Sequence, residues 1–292
     1  RRAGPERRGL ALGLFSMGIP LGTMVGFAAG GAMADSVGWR TALVGAGALG
    51  GFAFLMALLA IRPTPPRPRT EADRTPFVRE ALRLMAAPGF RWLFVAAVTI
   101  GFASAPFYVF SSPFLIRTHG FTASEVGLTF GLLQGGLGVV GTLLGGRGFD
   151  RAVRSGRGRI IGLPGWLFLI SAGTTAAALF APTGWMSIVL FVPTMFSFAL
   201  LLPWAFGAAH LVAGPGKQAL ATSLMLIGSG LVGPALGPVI VGAVSDAAAA
   251  NGLANTVGLG LLIVPVASAL TGVATLIAND RIAATRAASE DR

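Results

Sequence analysis

The 292-residue chain has no cysteine, one tyrosine, two histidines and only 11 acidic residues. Without cysteine there are no disulfides and no thiolate metal sites. The two histidines, His119 and His210, lie far apart and neither has a nearby ligand partner in sequence. Charged residues make up 11% of the chain, against about 25% in a typical soluble domain. A soluble fold of this length could not cover its surface with so few charges. There is also no signal-peptide pattern and no initiating Met, because the chain opens on Arg1-Arg2. Such a start suggests a cut within a loop of a longer protein.

What is abundant is apolar sequence. Hydrophobic residues reach 54%, in blocks of roughly 20, the length that crosses a bilayer core as a helix. Eight spans are expected, near 9–33, 38–61, 92–116, 124–146, 160–181, 185–209, 218–244 and 255–277. The blocks are continuous rather than alternating. Only helices and closed barrels satisfy their backbone in lipid, so they read as helices. The closest pair is separated by Ala181-Pro182-Thr183-Gly184, where Pro and Gly break an apolar run.

Basic charge tests this count. Arg1, Arg2, Arg7 and Arg8 precede the first span. Seven arginines, from Arg62 to Arg91, occupy the long linker. Arg147, Arg151, Arg154, Arg157 and Arg159 follow the fourth span, Lys217 precedes the seventh, and Arg281, Arg286 and Arg292 follow the eighth. Only Arg40 and Arg117 fall in the alternate connectors. Basic loops stay cytoplasmic, so both ends and the linker are expected on the cytoplasmic side of a bacterial inner membrane. A missed helix would break the alternation. The net charge of +11 therefore reads as a topology signal and a contact with anionic lipid, not as a nucleic-acid footprint.

The linker over 62–91 divides the chain. Its start is polar and proline-rich. Pro76 to Ala87 reads as a short amphipathic helix at the membrane surface, with Val78, Leu82 and Met85 on one face; a solvated loop is the other reading. The expected parts are 1–61, the linker 62–91, a bundle over 92–278 and a tail over 279–292.

An internal repeat adds a second division. A shift of 211 residues superposes Gly22 on Gly233, Gly26 on Gly237, Gly31 on Gly242, Ala32 on Ala243 and Asp35 on Asp246. This fits a parallel duplication of helical units, a transporter architecture. The first two spans would then end one six-helix unit, with four helices absent upstream, and the last six would form the second unit.

Pro5-Glu6-Arg7-Arg8-Gly9 before a glycine-rich helix, then Gly30-Gly31 and Gly38-Trp39-Arg40, resembles helix five of the major facilitator superfamily. Gly146-Arg147-Gly148-Phe149-Asp150-Arg151, with Arg154 and Arg157 beyond, is similar to the second copy of that superfamily's signature loop. Gly233-Pro234-Ala235-Leu236-Gly237-Pro238, with Gly242 and Ser245-Asp246, resembles helix eleven of its Spinster-like branch; Lys217 stands where that branch often has Arg. The resemblance implies an all-α twelve-helix alternating-access carrier of small molecules, expected as a monomer without cofactor or metal.

Candidate residues follow. Glycines recur in the first span at Gly18, Gly22, Gly26 and Gly30, and in the fourth at Gly127, Gly131 and Gly135. Small residues let helices approach closely in lipid. The resemblance implies that these helices meet across the two halves as a sliding seam; static packing is the alternative. Asp150, Arg151 and Arg154 read as a gating latch, because opposite charges at a helix end hold one of two packings. For the arginines, cytoplasmic anchoring is an equal alternative. Embedded polar residues are the substrate candidates. They are Tyr108, Gln134, Ser112, Ser197 and Trp204, with Ser104, Ser111, Thr194 and Ser229 beside them. Hydroxyls also bond their own helix backbone, which is the plain reading for any single Ser or Thr. No Asp or Glu is mid-span, so either the coupling residues lie in the absent helices or the protein is an uncoupled facilitator, and the resemblance favours the first. Phe107, Phe110, Phe196 and Phe198 near the candidates favour an amphiphilic or hydrophobic substrate. Efflux leads over nutrient or organic-anion uptake. A membrane enzyme finds no motif, and a receptor or scaffold of the same fold is the remaining alternative.

Overall fold

A computed structural model describes residues 8–60, 77–155, 161–214 and 216–290, and every regular element among them is helical. In order they are α1 (Arg8–Ser36), α2 (Trp39–Ala60), α3 (Phe77–Ala86), α4 (Pro88–His119), α5 (Ala123–Arg154), α6 (Gly162–Leu179), α7 (Gly184–Ala213), α8 (Gln218–Ile227), α9 (Gly233–Ala250), α10 (Thr256–Gly260) and α11 (Ile263–Glu290). A π turn over Gly228–Val232 joins α8 to α9. Seven helices among the described residues are long and apolar enough to cross a membrane. They are α2, α4, α5, α6, α7, the continuous Gln218–Ala250 unit, and Thr256–Thr285. The first expected span falls on the 29-residue α1.

Several helices outrun the expected spans. α5 continues to Arg154, so Gly146 to Arg151 is helical and not a loop. α4 starts at Pro88 and α11 runs to Glu290. Apolar length sets only where the bilayer core lies. A helix with no proline continues into water, because charged side chains there cost nothing. α4 begins with Pro88 at a position needing no amide donor. It stops at Gly120, whose φ of 73° is the left-handed conformation glycine adopts freely. α5 starts with a capping box: Thr122 accepts from the Glu125 amide, and the Glu125 carboxylate accepts from the Thr122 amide at 2.8 Å. The π turn precedes Pro234, which supplies no amide hydrogen and so widens the hydrogen-bond register.

α5 packs along α1 on one side and α7 on the other, while α4 lies along α11 and α9. The core is aromatic. Phe107 meets Phe191 at 5.1 Å between ring centroids, Phe198 at 5.7 Å and Phe130 at 6.2 Å. None of α2 is buried; a helix apolar on every face is one surrounded by lipid or by other helices. The ends of α4 and α8 where the chain enters, and of α5, α7 and α11 where it leaves, carry the basic connectors and are called the basic end below.

α3 forms where the amphipathic helix is expected, with a different inward face. Leu84 is buried and Met85 packs beside it, whereas Val78 and Leu82 are exposed. Glu80 faces Lys217, with Nζ 2.8 Å from its carboxylate, and Arg83 lies 3.0 Å from the same group. The Lys217 hydrogen bond, ahead of its charge and that of Arg83, holds the Glu80 carboxyl below its ordinary range. Pro5-Glu6-Arg7, linker residues 62–76, and Arg157 and Arg159 lie outside the described residues.

Candidate functional site

One large cavity, of about 920 Å³, opens within the bundle. Its depth follows from the residues along each helix. On α4 they run from Leu93 through Ala97 and Ser104 to Tyr108, the half toward the basic end. On α5 they are Gln134, Gly138 and Thr142, again from mid-helix toward the basic end. Met195 to Phe206 of α7, Met225 and Ser229 near the π turn, and Thr275 of α11 complete that side. α1 contributes Pro20, Thr23 and Phe27. The cavity therefore reaches from mid-bundle toward the basic end.

The opposite end is closed, and glycine makes the closure. Gly31 of α1 and Gly127 of α5 face one another; a Cβ on Gly127 would overlap the Phe27 carbonyl and stand 3.0 Å from the Gly31 Cα. Further along the seam, a Cβ on Gly131 would lie 2.8 Å from the Met24 carbonyl oxygen. One on Gly135 would lie 2.6 Å from the Met24 Cβ, and one on Gly138 would lie 2.9 Å from the Pro20 Cβ. Contacts this close require glycine. The α1 face in this seam is Pro20, Met24, Phe27 and Gly31. Gly18, Gly22, Gly26 and Gly30 point to open space instead. The glycine stripe expected on α1 thus lies beside the seam rather than in it, because helical spacing from Gly31 selects Phe27 and Met24. A second glycine crossing was not anticipated: Gly101 of α4 and Gly233 of α9 pack backbone to backbone.

The structure gathers some of the expected substrate residues. Tyr108 and Gln134 line the cavity, as do Ser104 and Ser229. The Tyr108 ring stacks edge-on to Phe107 at 5.9 Å and Phe198 at 5.8 Å. Gln134 is buried and its Oε1 has no hydrogen-bond partner among the described residues. Ser112 lies away from this cavity, at a smaller recess of about 270 Å³ beside Gly26 and Gly30. Ser197 donates to the Pro193 carbonyl at 2.7 Å, and Ser111 to the Phe107 carbonyl at 2.6 Å. Thr194 is buried against Thr175. Trp204 is buried against Phe149, with ring centroids 5.8 Å apart. Thr23, Thr142 and Thr275 line the cavity without having been singled out; each looks in sequence like any helix threonine.

The gating candidates sit at the basic end of α5. Asp150, Arg151 and Arg154 are exposed there, and none forms an ion pair with another described residue. At the opposite end a carboxylate is engaged. Asp35, in the last turn of α1, accepts the Ser124 amide at the start of α5 at 2.6 Å. Hydrogen bonds from Ser124, side chain first and then backbone, hold the Asp35 carboxyl below its ordinary range. Among the described residues no group of three or more His, Cys, Asp or Glu is placed to hold a metal ion.

The comparisons with known proteins agree with this architecture. The family description "Major Facilitator Superfamily" matches residues 1–238. An MFS-type efflux pump of Mycolicibacterium smegmatis is 29% identical over 279 residues, 92% of this chain and 62% of its own length. Protein spinster homolog 3 of Danio rerio is 28% identical over 269 residues, covering 82% of this chain and 52% of its own. The chain thus spans less than two thirds of these relatives. A crystal structure of a bacterial homologue of the human lysosomal transporter Spinster, inward-facing and unoccupied, superposes with a TM-score of 0.71 at 24% identity. That superposition covers 99% of this chain and 73% of the other. The same homologue in its inward-facing, occupied conformation gives 0.70, also at 24% identity. With seven membrane-length helices among the described residues and a family match over residues 1–238, the chain belongs to the Major Facilitator Superfamily.

Proposed function

We propose that this chain belongs to a Spinster-like secondary transporter that exports amphiphilic or hydrophobic small molecules by alternating access, driven by protons. The cavity carries this reading. A space of about 920 Å³ is of the size that holds a drug-like or single-chain amphiphile. Phenylalanine and aliphatic side chains form most of its wall, and a few hydroxyls, Tyr108 and Gln134 supply polar contacts. Its reach toward the basic end, with the α1–α5 seam closing the other, is the geometry of one face of an alternating cycle.

In this reading α1 is an eighth crossing, and residues 1–61 and 92–278 belong to two bundles joined by the 62–91 linker. The basic end is cytoplasmic and 279–292 form the cytoplasmic tail. Asp150, with Arg151 and Arg154, latches that end when the cavity closes toward it. Their freedom from ion pairs among the described residues suits the state with the cavity open at that end. No acidic residue lines the cavity among the described residues, so in this reading the coupling carboxylate lies outside that lining. The name of the M. smegmatis relative favours efflux over uptake. Among the described residues membrane catalysis finds no arrangement of nucleophile, base or metal ligands to support it, and in this reading the protein works as a monomer.

The test is a cavity-filling variant. Ser104→Trp in the full protein is expected to reduce transport of a fluorescent amphiphilic dye in proteoliposomes to background, while the purified protein remains monodisperse. Undiminished transport would mean that the substrate does not pass through this cavity.

A further inference from the structure

The closed end of the seam holds a polar contact that the function above does not use. Asp35 ends α1 and Ser124 begins α5. An acidic side chain in the last turn of a helix opposes that helix's own dipole. Asp35 gains from a partner elsewhere, and it finds the start of α5, whose free amides and positive dipole end suit an anion. The Ser124 amide donates to its carboxylate at 2.6 Å, and the Ser124 hydroxyl reaches the Gly31 carbonyl at 3.5 Å. The capping box of α5 is complete without Asp35, because Thr122 and Glu125 satisfy each other's amides. Asp35 is thus not needed to form α5. What the contact does is tie α1 to α5 at the mouth of the seam, just beyond the Gly31–Gly127 contact.

We propose that Asp35 is the outer gate latch: it holds α1 to the start of α5 while the cavity is open at the basic end, and lets go when the cavity opens on the other side. This rests on the alternating-access reading. The contact occupies the right place, at the end of the seam away from the cavity and beyond the Gly31–Gly127 and Phe27–Phe130 contacts. The bond is also of a kind that exchanges readily. Asp35 is a surface carboxylate, so water replaces the α5 amides when the helices part, and neither partner is left buried and unpaired. The lowered Asp35 pKa agrees with a carboxylate held ionised by these donors. The latch is complementary to Asp150, which forms no ion pair among the described residues at the basic end in the same conformation.

The chain's lack of cysteine makes the test direct. Val126, 1% exposed, lies on α5 just beneath the latch, and Val126→Cys is a small change there. In the full protein, freed of any other cysteine and reconstituted in proteoliposomes, its labelling by a membrane-impermeant maleimide added from the outer side reports opening of this end. Asp35→Ala is expected to raise the labelling rate at least threefold. Ser124→Pro removes the donor amide from the other side, at a first-turn position where proline is tolerated, and is expected to do the same. The double variant should match the single ones, because each substitution breaks the same Asp35–Ser124 contact. Labelling unchanged in Asp35→Ala and in Ser124→Pro overturns the latch, as does an additive double variant. If Asp35→Ala fails to yield folded protein, Ser124→Pro alone decides. Labelling that rises as described in a protein that moves no dye leaves the latch standing and removes the transport reading instead.

Discussion

Replacing Gly127 by Ala adds one methyl group at the tightest point of the α1–α5 seam. That methyl would overlap the Phe27 carbonyl and stand 3.0 Å from the Gly31 Cα, so α1 must retreat by roughly 0.5–1 Å before contact distances become ordinary. A seam of several turns carries on the order of 5 kcal/mol of dispersion at about 0.1–0.2 kcal/mol per atom pair. A gap of that size forfeits a quarter to a half of it, about 1–2 kcal/mol. The same range is typical of overpacking a fitted core by a small group. The loss falls on the conformation in which the seam is closed and not on the one in which it is parted. The outer-open population should therefore rise by about five- to thirtyfold. Gly136 is the control. It lies on the same helix about two and a half turns on, and a Cβ there meets nothing within 4 Å. Gly136→Ala should leave the populations unchanged and gain about 0.5–1 kcal/mol of helix stability. Spin labels near the outer ends of α1 and α5, with distances read by pulsed electron resonance, separate the two outcomes. Equal distance distributions for Gly127→Ala and Gly136→Ala would refute the claim that the glycine seam sets the closed state.

Two further outcomes concern the basic end. Asp150→Asn is expected to lower transport of the dye severalfold without reducing the amount of protein in the membrane; unchanged transport would leave the Asp150 latch without a role. Glu80→Gln should release α3 from Lys217, read as faster proteolysis of the linker in membranes exposing the basic end. Acid should do the same to the parent protein. The Glu80 carboxyl titrates below its ordinary 4.5, so the clasp is fully present above that value and is lost as pH falls through the lower native one. Linker cleavage by an acid-tolerant protease that is as fast in the parent protein at pH 7 as in Glu80→Gln would contradict the pairing.

The helical architecture was largely readable in the residues, because apolar length and alternating basic charge are imposed by the bilayer itself. Helix ends were less readable. The bilayer does not determine where a helix stops in water, so α5 and α11 overran. The seam shows the limit more sharply. Glycine content marked α1 and α5 as close-packing helices. Which face of α1 packs depends on the register between two helices, and the contact uses Phe27 and Met24 where spacing within α1 alone suggested Gly22 and Gly26. The same holds for the site. Tyr108 and Gln134 stood out as rare residues for a membrane span and do line the cavity, whereas Ser197 bonds its own helix backbone and Trp204 is turned into α5. Asp35 entered only as one identity in the repeat. An acid in the last turn of a helix, followed by a Thr-x-x-Glu box at Thr122, was the available sign that it would seek the start of another helix.

The central claim is tested most directly by reconstituting the full protein in proteoliposomes and following a fluorescent amphiphilic dye with and without an imposed pH gradient. The account predicts protein-dependent movement of the dye that the gradient drives against its concentration difference and that a protonophore abolishes. Dye that moves no faster than in protein-free vesicles under both conditions would contradict it.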